Sequence, residues 1–284
     1  MLLKKIEQAQ QFLQKNESLF RCPICYHSFY LNSYSLICKN NHQFDLSKKG
    51  TLYFLNHQVK TEYSKKMLIP RGNLIKNGMY QQVLDAIQQK ITAMNGITLD
   101  IGCGEGSFLT QLTERGLNGF KIGFDISKDG IYLASSQPVG TGFWGVADLT
   151  NLPISSDSID TIINIFSPAY YQEFTRVLKK DGKIIKIIPE IDYLKELRQI
   201  FYPGNEQKQF YSNQKVIERF EQAMIIEEKE RITYTFSIPK HCQLDLLEMS
   251  PLEWQVSSEI KQRAQQYPLA EITIDICLLK GRKK

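Results

Sequence analysis

The stretch Leu99-Asp100-Ile101-Gly102-Cys103-Gly104-Glu105-Gly106 (LDIGCGEG) decides the fold of this chain. It ends a strand-like segment, and a helical segment, SFLTQLTERG, begins directly after it. A glycine-rich turn between a strand and a helix lets the backbone come close to a bound ligand. The glycines fall at i, i+2 and i+4, whereas a dinucleotide-binding loop has its third glycine at i+5, where Ser107 stands here. The turn therefore indicates a ligand without a pyrophosphate.

Acidic residues surround this turn. Asp100 and Glu105 lie within it, Asp125 ends the next strand-like segment, FKIGFD, and Asp148 closes the one after that. Open α/β sheets bind their ligands at the carboxyl ends of the strands, where these acids fall. We expect Asp125 to accept hydrogen bonds from ribose hydroxyls and Asp148 to meet an adenine amino group. The acids at 100 and 105 suit a cation such as a sulfonium.

The chain beyond the turn alternates between strand-like and helical segments. IDTIINIF is followed by the helical QEFTRVLKKDG and then by the strand-like KIIKIIPEI, and ITIDICLLKG forms a last strand. Alternation at this spacing is typical of βαβ units. We therefore predict an α/β fold with a mostly parallel, doubly wound, Rossmann-like sheet.

A cysteine cluster lies upstream of this fold. Cys22, Cys25, Cys38 and His42 follow the spacing C-x2-C-x12-C-x3-H. Thiolates and imidazole are ligands that Zn²⁺ prefers, and four protein ligands leave no open coordination position. The motif predicts a structural zinc site in a small N-terminal domain like a zinc ribbon. Metal binding would supply the folding energy of so short a segment.

Composition and charge narrow the class of protein. Among 284 residues, 42% are apolar and 23% are charged, which excludes disorder as the dominant state. No apolar run is long enough to cross a membrane, and the N-terminus lacks a secretory signal, so we expect a cytoplasmic protein. Residues 1–80 contain twelve Lys and Arg against four acids, a net charge of +8, while the remaining chain carries −3. We call residues 1–80 the basic front. Their charge favours a polyanion partner, and a basic surface that contacts only solvent remains the alternative.

The same patterns divide the chain into four parts. Residues 1–20 form an extension with helical spacing, and residues 21–56 hold the zinc motif. Residues 57–79 are a polar, basic connector. Residues 80–284 form the α/β domain that contains the glycine turn. We expect the basic residues of the front to contact phosphates; these are Lys39, Lys48, Lys49, Lys60, Lys65, Lys66, Arg71 and Lys76.

The sequence resembles the class I S-adenosylmethionine methyltransferases in LDIGCGEG, Asp125, Asp148 and RVLKKDGKII. Over almost all of the chain after residue 20 it resembles the RlmA family of bacterial 23S rRNA guanine-N1 methyltransferases. The segments that carry this resemblance are CPIC…C…H, QFDLSKKGTLYFL, PRGNLIKNGMY and LDLLEMSPLEW. The resemblance implies a methyltransferase that modifies one guanine in a hairpin loop of 23S ribosomal RNA, with S-adenosylmethionine as cofactor. It also implies that the zinc-binding part helps to recognise the RNA.

The resemblance adds site residues to those suggested by the motifs. It implies a cofactor contact by Tyr80, in GMY, and one by Tyr193, where the family has a histidine. The expected cofactor-binding set is Tyr80, Asp100, Gly102, Gly104, Glu105, Gly106, Ser107, Asp125, Asp148 and Tyr193. The segment after the fourth strand lies where this fold places its substrate base, so Asn164, Phe166 and Tyr170 are candidates for contacting a flipped guanine. The sequence names no general base.

The expected partner is 23S ribosomal RNA, with neither DNA nor a membrane, and a homodimer stays open. Two other functions stay open as well: a class I methyltransferase acting on a small molecule, and a non-catalytic RNA-binding protein. The zinc motif and the basic front argue against the first alternative. The intact set of Asp100, three glycines and Asp125 argues against the second.

Overall fold

The structure, a computed structural model, describes residues 3–57, 59–205, 209 and 211–284. Its α-helices are α1 (Lys5–Asn16), α2 (Lys65–Lys76), α3 (Gln81–Lys90), α4 (Ser107–Glu114), α5 (Lys128–Ala134), α6 (Tyr171–Val177), α7 (Lys195–Phe201), α8 (Gln214–Ala223), α9 (Asp245–Glu248) and α10 (Ser258–Gln266). Short 3-10 helices occur at Glu17–Leu19, Lys240–Cys242 and Pro251–Gln255. Within these described ranges, no helix combines the length and the apolar character needed to cross a bilayer.

The strands form two sheets. They are β1 (Phe29–Asn32), β2 (Ser35–Cys38), β3 (Gln43–Asp45), β4 (Thr51–Tyr53), β5 (Ile97–Ile101), β6 (Phe120–Asp125), β7 (Phe143–Val146), β8 (Ile159–Ile165), β9 (Leu178–Pro189), β10 (Met224–Ser237) and β11 (Glu271–Lys283). The small sheet is antiparallel, in the order β1-β2-β3, and the large one has the order β10-β11-β9-β8-β5-β6-β7-β4.

The large sheet is parallel from β9 to β4, and β11 runs antiparallel to both β9 and β10. From β5 the chain moves to β6 and β7 on one side and then returns to β8 on the other side. The carboxyl ends of β5 and β8 therefore lie at a topological switch point, where open α/β sheets form a ligand crevice. The predicted fold class is confirmed, and the glycine turn lies at this point.

Packing on both faces of the sheet follows from strand geometry. Successive residues of a strand point to opposite faces, and Ile162 and Ile163 of β8 accordingly belong to two different buried hydrophobic clusters. The same division holds for Ile184 and Ile185 of β9. Because the sheet is covered on both faces, the sequences of these strands are continuous apolar runs.

The N-terminal segments share one of these clusters. Leu13 of α1, Phe20 and Phe44 are buried together with Phe124 and Phe143 of the large sheet. The three-residue strand β4 adds to the edge of that sheet by pairing in parallel with β7. The zinc-binding segment therefore packs directly on the large sheet.

The connector predicted at residues 57–79 contains α2. This helix buries Met67, Leu68 and Leu74 and contacts α4, α5 and α9. At Gly72 the helix comes so close to the glycine turn that a Cβ atom there would lie 3.2 Å from the Glu105 carboxyl group. The connector thus covers the carboxyl ends of the parallel strands.

Candidate active site and metal centre

The glycine turn is held tightly against the next strand and the loop after β8. The N–H groups of Gly102 and Cys103 both donate to the carbonyl of Phe124, at 2.8 and 3.1 Å. Gly102 has φ of 77°, and a Cβ atom there would lie 2.0 Å from Ser167 Oγ. Only glycine combines this backbone conformation with this close approach. The turn therefore brings the end of β5 and the loop after β8 together at the sheet edge.

A first cavity of about 380 Å³ opens beside this turn. Its wall includes Gly102 and Gly104 of the turn, Asp125 at the end of β6, and Asp148 after β7. These residues come from three neighbouring parallel strands, as expected from the sequence. The volume lies in the range of small-molecule and cofactor sites.

Asp125 links the turn to the cavity. Its Oδ2 atom accepts a hydrogen bond from the Gly104 N–H at 2.8 Å, and its Oδ1 atom accepts one from the Ser127 N–H at 2.7 Å. Each carboxylate oxygen has a further lone pair, so the group retains capacity to accept hydrogen bonds from a diol in the cavity. Burial raises the pKa of Asp125.

Asp100 is buried at the end of β5, next to Ile101 of the cavity wall. Burial, together with the charges of Asp125 and Glu105, raises the pKa of Asp100 to about 8. Three neighbouring carboxyl groups in a buried site disfavour their own ionisation, and a cationic ligand would relieve that cost. This edge of the sheet is therefore suited to a positively charged ligand.

Three other expected cofactor contacts have structural partners of their own. The Glu105 carboxylate accepts hydrogen bonds from the Ser107 N–H and hydroxyl, at 3.0 and 2.6 Å, and from Gln137. Gly106 faces the ring of Trp144, since a Cβ atom there would lie 2.8 Å from it. The start of α4 is thus tied to Gln137 and Trp144 by Glu105, Gly106 and Ser107. These three residues are not part of the lining of the first cavity.

A second cavity, of about 500 Å³, adjoins the first. Its wall is largely aromatic: it includes Tyr63, Tyr80, Phe108, Phe166, Tyr193, Tyr202, Tyr211 and Trp254, with Arg71, Arg198 and Ser250 among the polar members. The Tyr80 and Tyr193 hydroxyls lie 2.6 Å apart. Burial raises the pKa of Tyr80 to about 12, so this pair stays neutral at physiological pH. Both tyrosines line the second cavity, and the cofactor contacts that the family resemblance implies for them stay a prediction.

Phe166 lies between the two cavities, and Tyr63 and Arg71 also line both. Phe166 has φ of 51°, in the left-handed region that is rare for a bulky residue. Its N–H donates to the Ile187 carbonyl at 3.1 Å, and its ring contacts those of Tyr80 and Tyr193. Strained backbone of this kind persists where the surroundings fix it, often at binding sites.

The other two base candidates lie elsewhere. Asn164 is fully buried, and its amide donates to the carbonyls of Ile101 and Pro168, at 3.0 and 3.1 Å, while its Oδ1 atom accepts from Lys186. The amide of Asn164 thus braces the loop after β8, and a hydrogen bond from this side chain to guanine stays a prediction. Tyr170 is exposed and donates its hydroxyl hydrogen to Gln172 Oε1 at 2.6 Å, outside both cavities.

The four residues of the zinc motif meet at one point. His42 Nδ1 lies 3.5, 3.3 and 3.4 Å from the sulfur atoms of Cys22, Cys25 and Cys38, and all four ligand atoms lie within 4.8 Å of one another. Zn–S and Zn–N bonds of ordinary length in a tetrahedron separate their ligand atoms by roughly 3.5–3.8 Å. The donor set and its spacing therefore fit zinc.

The backbone shapes this centre through two similar turns. The Tyr26 N–H donates to the Cys22 carbonyl at 2.9 Å, and the Asn41 N–H donates to the Cys38 carbonyl at 2.8 Å. Tyr26 and Asn41 both have a left-handed backbone, with φ of 62° and 61°. Each turn aims one pair of ligands inward, and the pairs are joined by the antiparallel strands β1 and β2.

Several residues of the second cavity were not singled out in the sequence. Tyr63 lies in the segment before α2, and Arg198 lies on α7. Ser250 precedes the 3-10 helix Pro251–Gln255, and Trp254 lies within it. The signal in the sequence for Ser250 and Trp254 is that both lie in LDLLEMSPLEW, one of the segments that carry the family resemblance. Arg71 was expected to contact phosphates, whereas its Nε–H donates to the Met249 carbonyl at 3.0 Å and the side chain lines both cavities.

Comparison with known proteins gives consistent results along the chain. A family model described as "Methyltransferase domain" matches residues 93–239, and one described as "RlmA, N-terminal", a zinc ribbon, matches residues 20–62. YxjB of Bacillus subtilis, whose provisional name is 23S rRNA (guanine-N1)-methyltransferase, is 37% identical over 94% of this chain and 98% of its own length. The 23S rRNA (guanine(748)-N1)-methyltransferase of Streptomyces fradiae is 23% identical over 90% of this chain and 94% of its own. The solved structure of the PH0226 protein from Pyrococcus horikoshii has a TM-score of 0.51 at 18% identity, covering 80% of this chain and 97% of that one, which supports the fold.

Proposed function

The chain belongs to the RlmA family of methyltransferases, and on that premise we propose that it transfers a methyl group to N1 of one guanine in a hairpin loop of 23S ribosomal RNA. The chain is a methyltransferase that uses S-adenosylmethionine, and its N-terminal part is a zinc ribbon. The relatives named for 23S rRNA guanine-N1 methylation match nearly their whole length, which supports the same substrate here.

The observation that carries the proposal is the pair of adjoining cavities that meet at Phe166. The first is bordered by the glycine turn and by Asp125 and Asp148, which suit the ribose and adenine of the cofactor. The second is lined by aromatic rings, which suit a planar base that has been turned out of an RNA strand. Tyr63 and Arg71 border both cavities, so a base in one and a methyl donor in the other would lie next to each other.

When bound, S-adenosylmethionine supplies a methyl group on a cationic sulfur, and the work of this chain is to align the base with it. Phe166 and Tyr193 provide faces on which a base can stack, at about 1–3 kcal/mol per base. Holding two reactants in line contributes much of the rate in such reactions. Among the described residues that line the second cavity there is no Asp, Glu or His. We infer that the N1 proton of the guanine leaves to water rather than to a carboxylate or an imidazole of this wall.

Basic and aromatic side chains form a surface suited to the RNA strand beside this site. The ammonium groups of Lys49 and Lys65 lie 3.8 and 4.1 Å from the centre of the exposed Tyr132 ring, and Lys128 lies 4.3 Å from the centre of the Tyr53 ring. These residues come from the zinc-binding segment, α2 and α5. Phosphate contacts by the cations and stacking on the rings are the two common means of binding single-stranded RNA.

The zinc ribbon presents a further part of the same proposed RNA surface. Ile24, Tyr26 and Tyr30 are exposed on it, and Arg21 lies 4.7 Å from the centre of the Tyr26 ring. We propose that residues 21–56 recognise the RNA, that residues 57–79 connect them to the catalytic part, and that residues 80–284 carry the reaction. Residues 1–20 support the ribbon through α1.

The proposal is tested by incubating the zinc-loaded protein with radiolabelled S-adenosylmethionine and unmethylated 23S ribosomal RNA. We expect label in the RNA and a primer-extension stop next to one guanine, because a methyl group at N1 blocks base pairing. Label confined to small metabolites would favour a small-molecule methyltransferase. Cofactor and RNA binding with no label transferred to any acceptor would favour a non-catalytic RNA-binding protein.

A further inference from the structure

Two buried polar atoms on the wall of the second cavity lack hydrogen-bond partners. These are the Nε atom of Arg198 and the Oγ atom of Ser250, in residues that are only 5% and 6% exposed. Buried polar atoms in folded proteins nearly always have partners, because an unpaired one has lost its hydrogen bonds to water without replacement. Two such atoms on one cavity wall indicate a polar ligand that satisfies them.

The charge of Arg198 makes this wall selective. Its Nη2 atom donates to the carbonyl of Ile191, in the segment between β9 and α7, which fixes one edge of the guanidinium. The acids that act on it electrostatically, Asp192, Glu196 and Asp275, lie outside the described lining of the cavity, which itself contains no carboxylate. The ligand must therefore offer hydrogen-bond acceptors to Arg198, and its planar part must fit between aromatic rings such as Phe166 and Trp254.

We propose that Arg198 and Ser250 read the target base, with the Arg198 Nε–H donating to guanine O6 and the Ser250 hydroxyl donating to N7. This assignment rests on the proposed function and adds the residues that determine base specificity. Guanine presents acceptors at both O6 and N7, whereas adenine has an amino donor at the position of O6. The Nε–H donor of Arg198 thus favours guanine. With adenine, the same donor would face the amino group, which is also a donor.

The experiment compares hairpin RNA substrates that carry guanosine, 6-thioguanosine or 7-deazaguanosine at the methylated position. Sulfur in place of O6 is a weaker acceptor, and carbon in place of N7 removes that acceptor. For the unaltered protein we expect kcat/KM to fall about 10- to 100-fold on the O6 change, the range for a hydrogen bond to a charged group. In Arg198→Met we expect a similar fall with guanosine and no further fall with 6-thioguanosine.

Ser250→Ala provides an independent arm of the test. We expect this variant to lose its response to the N7 change while it keeps its response to the O6 change. Arg263→Met, which removes an exposed arginine of α10, is the matched control and should keep both responses. Affinity for S-adenosylmethionine, measured by calorimetry, should stay within about twofold in all of these variants.

The possible outcomes separate the two proposals. If the unaltered protein methylates the hairpin but Arg198→Met keeps the full O6 penalty, the assignment of Arg198 is wrong. Loss of cofactor affinity in Arg198→Met with unchanged base discrimination would also overturn it, because Arg198 would then belong to the cofactor. If Arg198→Met does not fold, the same three RNA substrates are compared with Arg198→Lys and Ser250→Ala, and the responses to the O6 and N7 changes decide. No methylation of any hairpin by the unaltered protein would overturn the proposed function itself.

Discussion

The rings of Phe166 and Tyr193 lie face to face, with centroids 5.2 Å apart and 30° between their planes. Phe166 reaches this position through a left-handed backbone, which costs of order 1–3 kcal/mol. Because Phe166 also lines both cavities, its surroundings hold the strained residue at the place where the methyl donor and the base would meet.

Phe166→Ala should therefore impair methylation. We expect kcat/KM for the RNA to fall about 10- to 100-fold, because a stacking face is lost and the base is less well aligned. The matched control is Tyr170→Ala, since Tyr170 lies four residues along the same loop but outside both cavities. Rates measured at saturating cofactor should change less than threefold in the control. Equal losses in the two variants would contradict the role of Phe166.

Cofactor binding should release a proton. Asp100, whose pKa is raised to about 8 by burial and by neighbouring acids, is largely protonated at pH 7. A bound cation favours the ionised form and lowers this pKa, so affinity should rise with pH between 6 and 8. Calorimetry at pH 7 in buffers of different ionisation enthalpy should show the proton release, and Asp100→Asn should abolish it. The exposed Asp181→Asn should behave like the unaltered protein. Binding heat that is independent of the buffer would rule out this coupling.

Metal analysis of the purified protein should give one zinc per chain. Cys38→Ala should remove most of the metal, because three remaining ligands leave the tetrahedron incomplete. It should also lower the melting temperature, since the ribbon and the large sheet share a buried cluster. Cys242→Ala, at a cysteine outside the motif, should keep its zinc. Full zinc content in Cys38→Ala would show that the motif does not hold the metal.

The sequence predicted the fold because its decisive signals are local. A glycine turn between a strand and a helix, acids at strand ends and a closely spaced cysteine motif each depend on residues near one another in the chain. Gly102, Asp125 and Asp148 consequently reach the first cavity as expected. The resemblance to RlmA proteins added the substrate class, which no local pattern carries.

The second cavity could not be predicted, because its wall is assembled from distant parts of the chain. Tyr63, Phe166 and Trp254 come from three segments that meet only in the folded protein. The periodicity of the sequence also could not show whether the Asn164 side chain contacts a base or braces the loop after β8. That distinction depends on Lys186, which lies on the neighbouring strand.

Lys186 should make stability depend on pH in a characteristic direction. Its ammonium group donates to Asn164 and to the Ser167 carbonyl at 2.9 Å, and burial lowers its pKa to about 8. Between this value and the ordinary lysine pKa of about 10.4, the unfolded chain binds more protons than the folded one, so the free energy of unfolding should rise with pH. Urea unfolding at pH 7.5 and 10 should show a gain of about 1–3 kcal/mol relative to Lys186→Met, which lacks the titrating group. Lys180→Met, at an exposed position near the start of β9, should retain the gain. A pH dependence that is unchanged in Lys186→Met would show that this ammonium group does not titrate in the folded protein.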